Sequence, residues 1–164
     1  MPEKLFPLDA KVNRVLGILS LLIRNKGKLC FSDLAKLSKS HVDALLPEVN
    51  AAKMLGLVRV SGGCIALTGL GIKLHENDPE AKKEIKAKLK EIEPFKSAYN
   101  LTREKDYVVG EEIAKKIAKK GSYLHTDIKK NRVIIDTALL QWGIMFGIIS
   151  YDGKEKVWGK ANQT

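Results

Sequence analysis

Apolar residues at three- and four-residue steps open the chain: Val12, Val15, Leu16, Leu19, Leu22 and Ile23 lie on one face of a helix. Asp9 stands where an N-cap is needed, and Asn25-Lys26-Gly27 stops the stripe, with glycine suited to the left-handed residue after a helix. Residues 28–31 predict a short strand, and Ser32 is placed to cap a brief helix holding Leu34, Ala35 and Leu37. Ser40 and Asp43 have capping-box spacing before a second stripe of Val42, Leu45, Leu46, Val49, Ala52 and Leu55. Pro47 falls inside that stripe and predicts a kink or a later start. Gly56 ends it. Residues 57–60 and 64–67 then predict two strands around Ser61-Gly62-Gly63, and Thr68 caps a further helix through Leu70, Ile72 and Leu74.

Asp78-Pro79 opens a charged helix over about 80–92, whose narrow apolar face is Ala81, Ile85, Leu89 and Ile92. Beyond Pro94 the order of the first half returns. A short helix near 94–100 and the strand residues Tyr107-Val108-Val109 precede GEEIAKKIAKKG, a helix closed by Gly121. A long apolar helix then runs into Met145-Phe146-Gly147-Ile148-Ile149. That segment matches Met54-Leu55-Gly56-Leu57-Val58 at a constant offset (145 − 54 = 91), which sets Ser61-Gly62 over Asp152-Gly153. An internal duplication accounts for this most simply. Helix, strand, two helices and a hairpin is the order of a winged helix. The expected fold class is therefore α+β, mostly helical, with two tandem winged-helix-like units: 1–77, a linking helix 78–92, and 93–164.

Charge changes the picture next. Twenty-nine basic against 19 acidic side chains leave +10 in 164 residues, a balance that favours phosphates or other anionic partners. The excess is spread as +5 over 1–77, +2 over 78–105 and +3 over 106–164, not gathered in a tail. The most apolar run, 15–23, is interrupted by Gly17 and Ser20 and closed by Arg24, too short to span a bilayer. No secretory signal pattern is present, and a cytoplasmic location without membrane insertion is expected. Cys30 and Cys64 are too few for a disulfide framework or a four-cysteine zinc site. They are expected as two small buried apolar side chains, although a first strand lying beside the hairpin brings them within bridging reach.

The stretches LLPEVNAAKMLGLVRVSGGCIALTGLGIKL and IDTALLQWGIMFGIISYDGKEKVWG resemble the C-terminal AAA-associated domain family over about residues 10–158. The most specific pieces are the pattern LLP…AA..LG.V.V…..LT..G at 45–71 and the helix end Trp142-Gly143. The resemblance implies a winged-helix-like module of the kind appended to ATPase subunits of nitrate/sulfonate/taurine-type ABC transporters. Free-standing members occur notably in archaea, and the family has been described both as a transcriptional regulator and as a transporter-associated module. The lysine-rich flanks of this chain depart from the acidic members such a role leads one to expect.

No G-x-x-x-x-G-K-[ST] loop occurs, so any ATP chemistry lies in another polypeptide. His41, His75 and His125 are scattered, no cofactor or metal motif is present, and the chain is expected not to be an enzyme. A helix-turn-helix reads DNA with the start of its recognition helix. In the first unit that start offers Lys39, Ser40, His41, Asp43 and Ala44, then Glu48 and Asn50, with two carboxylates and no arginine. In the second, Lys129, Lys130, Asn131 and Arg132 cluster at the helix start, with Lys115, Lys116, Lys119 and Lys120 on the helix before it. Lysines so spaced neutralise phosphates, while Asn131 and Arg132 have the donors for base edges. Double-stranded DNA is thus the leading partner and transcription regulation the leading role. The alternative is a module that regulates an ABC-type ATPase subunit by docking onto it, and a homodimer through the first helix or the tail is a further option. A continuous positive face around the second long helix favours DNA; a neutral apolar face favours a protein.

Overall fold

The computed structural model describes residues 5–120 and 128–161, and of Lys120, Ile128 and Lys129 the backbone alone. Gly121 and His125 lie outside the described residues. The architecture is α+β and mostly helical. The chain divides into two compact units, Asp9–Glu84 and a second formed by Met1–Leu8 with Ile85–Thr164, so the dividing point falls inside the charged helix.

In the first unit, α1 (Val12–Arg24), β1 (Lys28–Cys30), α2 (Phe31–Ser38), α3 (Val42–Met54), β2 (Val58–Ser61), β3 (Cys64–Leu67) and α4 (Gly69–His75) follow the expected order. The three strands form one antiparallel sheet, β1-β3-β2. Ser61 pairs with Cys64, leaving Gly62 and Gly63 as a two-residue turn with φ of 58° and 74°. Positive φ at both positions is what a type I′ hairpin requires and what glycine permits. The core gathers Val15, Leu19 and Leu22 of α1 with Leu34, Val49, Ala52, Leu55 and Ile65.

Three of the expected caps are absent, Ser32 among them, because α2 starts from Cys30 and takes Ser32 into its first turn. Helix α1 starts from Lys11, not Asp9, and α3 starts from His41, in both cases without a side-chain cap. The Ser40 hydroxyl donates instead to the Ser38 carbonyl at 3.3 Å. Pro47 sits within α3 without ending it. The Thr68 cap is present and does double duty: Oγ1 accepts the Gly71 N–H at 3.1 Å and donates to the Gly56 carbonyl at 2.6 Å. One hydroxyl thereby ties the start of α4 to the end of α3.

Cys30 and Cys64 form a disulfide, which corrects the reading of two independent thiols. They face one another across the β1–β3 ladder, and the next N–H, of Phe31, donates to the Gly63 carbonyl at 2.9 Å. Register decides the pairing here, because opposed residues on adjacent strands bring their Cβ atoms to bridging distance.

Helix α5 (Pro79–Leu89) begins at Asp78, whose Oδ1 accepts the Glu80 N–H at 2.9 Å. In the second unit, α6 (Phe95–Glu104), α7 (Gly110–Lys120), α8 (Ile128–Ala138), a π-helical turn (Leu139–Gly143), β4 (Ile149–Asp152) and β5 (Val157–Lys160) follow, with no full strand as counterpart of β1 and no counterpart of α4 among the described residues. The predicted strand around Val108 shrinks to one bridge with Trp158, closed by hydrogen bonds of 2.9 and 2.7 Å. Phe6 joins this core edge-on to Phe95 and Trp142, at centroid distances of 5.3 and 4.9 Å. The buried carboxylate of Glu93 caps α6 by accepting the N–H and hydroxyl of Ser97 at 2.7 and 2.6 Å.

The glycine junctions match bond for bond. Gly56 has φ of 74°, its N–H reaches the Lys53 carbonyl, and the Leu57 N–H reaches Ala52 at 2.8 Å. Gly147 has φ of 69°, its N–H reaches Ile144, and the Ile148 N–H reaches Gly143 at 2.8 Å. Both are Schellman ends, in which the left-handed residue folds the chain back onto its own last carbonyls. The hairpins that follow differ in the turn: Asp152 pairs with Val157, leaving four residues where the first hairpin has two.

Candidate functional site

Helix α7 segregates its charges along the axis. Glu111 and Glu112 occupy the first turn and the lysines the later turns, which suits the helix dipole. Ile113, Ala114 and Ile117 are buried. Lys115 and Lys119 are exposed and Lys116 is half-buried, so three of the four predicted α7 lysines share this helix's accessible side. The charge of Lys115 is partly met by Glu111, whose Oε1 lies 3.3 Å from Nζ. The side chains of Lys120 and Lys129 lie outside the described residues.

The start of α8 departs from the expectation of a base-reading helix. Lys130 is exposed, but Asn131 is only 2% exposed and turned into the unit, so it reaches no groove. The reason is periodicity: residue 131 extends the buried row of Ile135, Ala138 and Trp142 by one turn. Arg132 is half-buried and held by Asp136, with Nε 3.6 Å from Oδ2. The other oxygen of Asp136 accepts the Trp158 indole N–H at 3.2 Å. Burial raises the Asp136 pKa, while the Trp158 hydrogen bond and the Arg132 charge oppose that rise. Arg132 is thereby tied to Asp136, which joins helix to hairpin, and the reach toward base edges expected of it is not its resting geometry.

Beyond Lys130, what α8 and the helical turns after it present outward is mostly apolar. Val133 is 66% exposed, and Leu140 and Ile144 are 46% and 41% exposed. Val133, the exposed Thr137 and Leu140 are spaced 4 and 3 residues apart along one helical face, and Ile144 follows across a π-helical turn. The Thr137 hydroxyl donates to the Val133 carbonyl at 2.8 Å, so its proton needs no partner. Met145 flanks the row and is also exposed. The π-helical turn, for which the sequence holds no local signal, spans the C-terminal end of this face.

In the first unit the start of α3 exposes Lys39, His41, Asp43 and Ala44. Glu48 corrects the expectation that it faces outward: it is 1% exposed, 3.8 Å from the Arg14 guanidinium and 3.5 Å from the Lys11 N–H. Position 48 lies three residues past Leu45 and four before Ala52, on the inner face, and Arg14 of α1 supplies its countercharge. In the second hairpin turn, Asp152 Oδ1 accepts the N–H groups of Lys154 and Glu155 at 2.9 and 3.2 Å, which fixes the turn internally.

Two small helical units, each closing a helix into a hairpin, define an α+β helix-and-hairpin protein. Residues 32–152 match the family described as the C-terminal AAA-associated domain, and the chain belongs to it. No curated protein and no solved structure matches the chain significantly. Among the described residues no helix is long and apolar enough to cross a membrane.

Proposed function

We propose that this chain is a non-catalytic, cytoplasmic binding module of two winged-helix-like units that docks onto a partner protein through the outward face of α8. The partner is an ATPase subunit of the kind its family accompanies, regulated by that docking. One observation carries the reading: Val133, Leu140 and Ile144 form an exposed apolar row on the helix that a DNA reader needs polar. Helix-in-groove recognition uses side chains at this spacing as anchors.

The immobilised chain, exposed to an extract of its source organism, is expected to retain an ATPase identifiable by mass spectrometry. Val133→Glu with Ile144→Glu, both at exposed positions, is expected to lower that recovery at least about tenfold, since truncating or charging an anchor commonly costs more than about 1 kcal/mol. Capture that ignores both substitutions contradicts the reading. Light scattering of the chain alone separates a partner protein from a second copy of the chain.

A second reading, DNA binding and transcription regulation, is favoured by the exposed lysines of α7 and by Lys130. It predicts salt-sensitive duplex binding that Lys115→Ala, Lys116→Ala and Lys119→Ala together weaken, with a shallower salt slope by about one unit per lost phosphate contact. An anisotropy titration at low ionic strength showing no binding removes it.

A further inference from the structure

We propose that the first unit binds a nucleoside monophosphate, or a close amphipathic monophosphate, in the cavity between α1 and the α2–α3 turn. The cavity measures about 570 Å³, within the range of about 300–1,000 Å³ that small-molecule sites occupy. Its wall is one face of α1 from Arg14 to Arg24, completed by Ser38, Ser40 and Leu45.

The chemistry of that wall specifies the ligand. Two guanidinium groups stand on the lining and no carboxylate does. Arg14 is tethered by the buried Glu48, which offsets its charge and fixes its direction. Arg24 is exposed and makes no ion pair among the described residues. One uncompensated guanidinium fits a single phosphate head, which its planar fork grips through two parallel bonds, better than a polyphosphate.

The three serines point to hydroxyl or amino donors on the ligand. Ser20 Oγ donates to Leu16, Ser38 Oγ to Ala35 and Ser40 Oγ to Ser38, so what each retains is acceptor capacity. Ser20 also shares a 3.0 Å hydrogen bond with His75 Nε2, which pins it further. Leu21 supplies apolar surface over the buried Ile18 and Leu45, and a Cβ placed on Gly17 meets nothing within 4 Å. A flat apolar body can therefore lie close on the α1 backbone at Gly17. Phosphate at Arg24, hydroxyl donors on serine oxygens and an apolar ring on Leu21 describe a nucleoside monophosphate.

The experiment is a two-dimensional amide NMR titration of the full chain with adenosine monophosphate, adenosine and inorganic phosphate in separate arms. Adenosine monophosphate is expected to shift resonances of Gly17, Ser20, Arg24 and Ser40, and each fragment to act at least about tenfold more weakly, because each engages half of the wall. Arg24→Gln is expected to weaken binding about tenfold. Gly17→Leu is expected to weaken it at least about tenfold by occupying the ring's place on α1, with thermal stability unchanged or raised, since the position is open and leucine is the better helix former. No shifts with adenosine monophosphate, equal shifts with phosphate alone, or full binding by a folded Gly17→Leu chain would overturn the proposal. These residues are separate from the α8 face, so either reading can fail while the other stands.

Discussion

Replacing Cys30 and Cys64 by alanine, or reducing their bond, is expected to destabilise the first unit by about 3.5–4 kcal/mol. The bond closes a loop of 34 residues in sequence, and the entropy it removes from the unfolded chain scales with the logarithm of that length. The loop holds α2, α3 and β2, so most of the unit gains freedom once it opens. A domain is commonly stable by only about 5–15 kcal/mol, so a loss of this size is a large share. Urea unfolding with and without reductant measures it: the midpoint of the first unit should fall, and the second unit should keep its own. A loss below about 1 kcal/mol would show that the β1–β3 register holds the strands without covalent help.

Gly71→Ala is expected to cost about 1–3 kcal/mol net, although alanine is the better helix former by about 1 kcal/mol. A Cβ at position 71 collides with the Leu57 carbonyl oxygen and comes within 2.8 Å of Leu67 Cδ1. The first obstacle is backbone and cannot rotate away. Helix α4 must then lift off the hairpin, which breaks the Thr68 cap and its bond to Gly56. Overpacking of about 1–3 kcal/mol and a lost cap of about 1 kcal/mol outweigh the propensity gain. Gly17→Ala is the matched control: nothing lies within 4 Å of its Cβ, so the same change is expected to be neutral or stabilising. The denaturation midpoint of Gly71→Ala should fall while that of Gly17→Ala holds or rises, and a Gly71→Ala chain as stable as the parent would contradict the close approach.

Local rules made much of this legible. Gly56 and Gly147 announced their junctions because a left-handed residue after an apolar stripe has few other uses, and the match at offset 91 aligned β2 with β4. Thr68 and Asp78 were readable as caps for the same reason: each has a short polar side chain placed where N–H groups need an acceptor. The failures share a cause as well. Glu48 and Asn131 fall on buried faces by spacing, yet their polarity argued for solvent, and the packing that overrides it lies on another helix or deeper in the unit. Arg132 was legible as a cation but its partner Asp136, four residues on, claims it. The disulfide needed the β1–β3 register, a long-range fact, and the π-helical turn has no signature in its residues. Asp9 and Ser40 had capping chemistry one or two residues away from where the helices begin. The basic cluster therefore looked more like a groove reader in sequence than the folded α8 supports.

Amide hydrogen exchange, followed on the chain alone and saturated with the captured ATPase, tests the docking face most directly. Slower exchange across residues 130–145, with α7 and the first unit unchanged, is the predicted result. Unchanged exchange there, or protection confined to the lysine-bearing turns of α7, would contradict it.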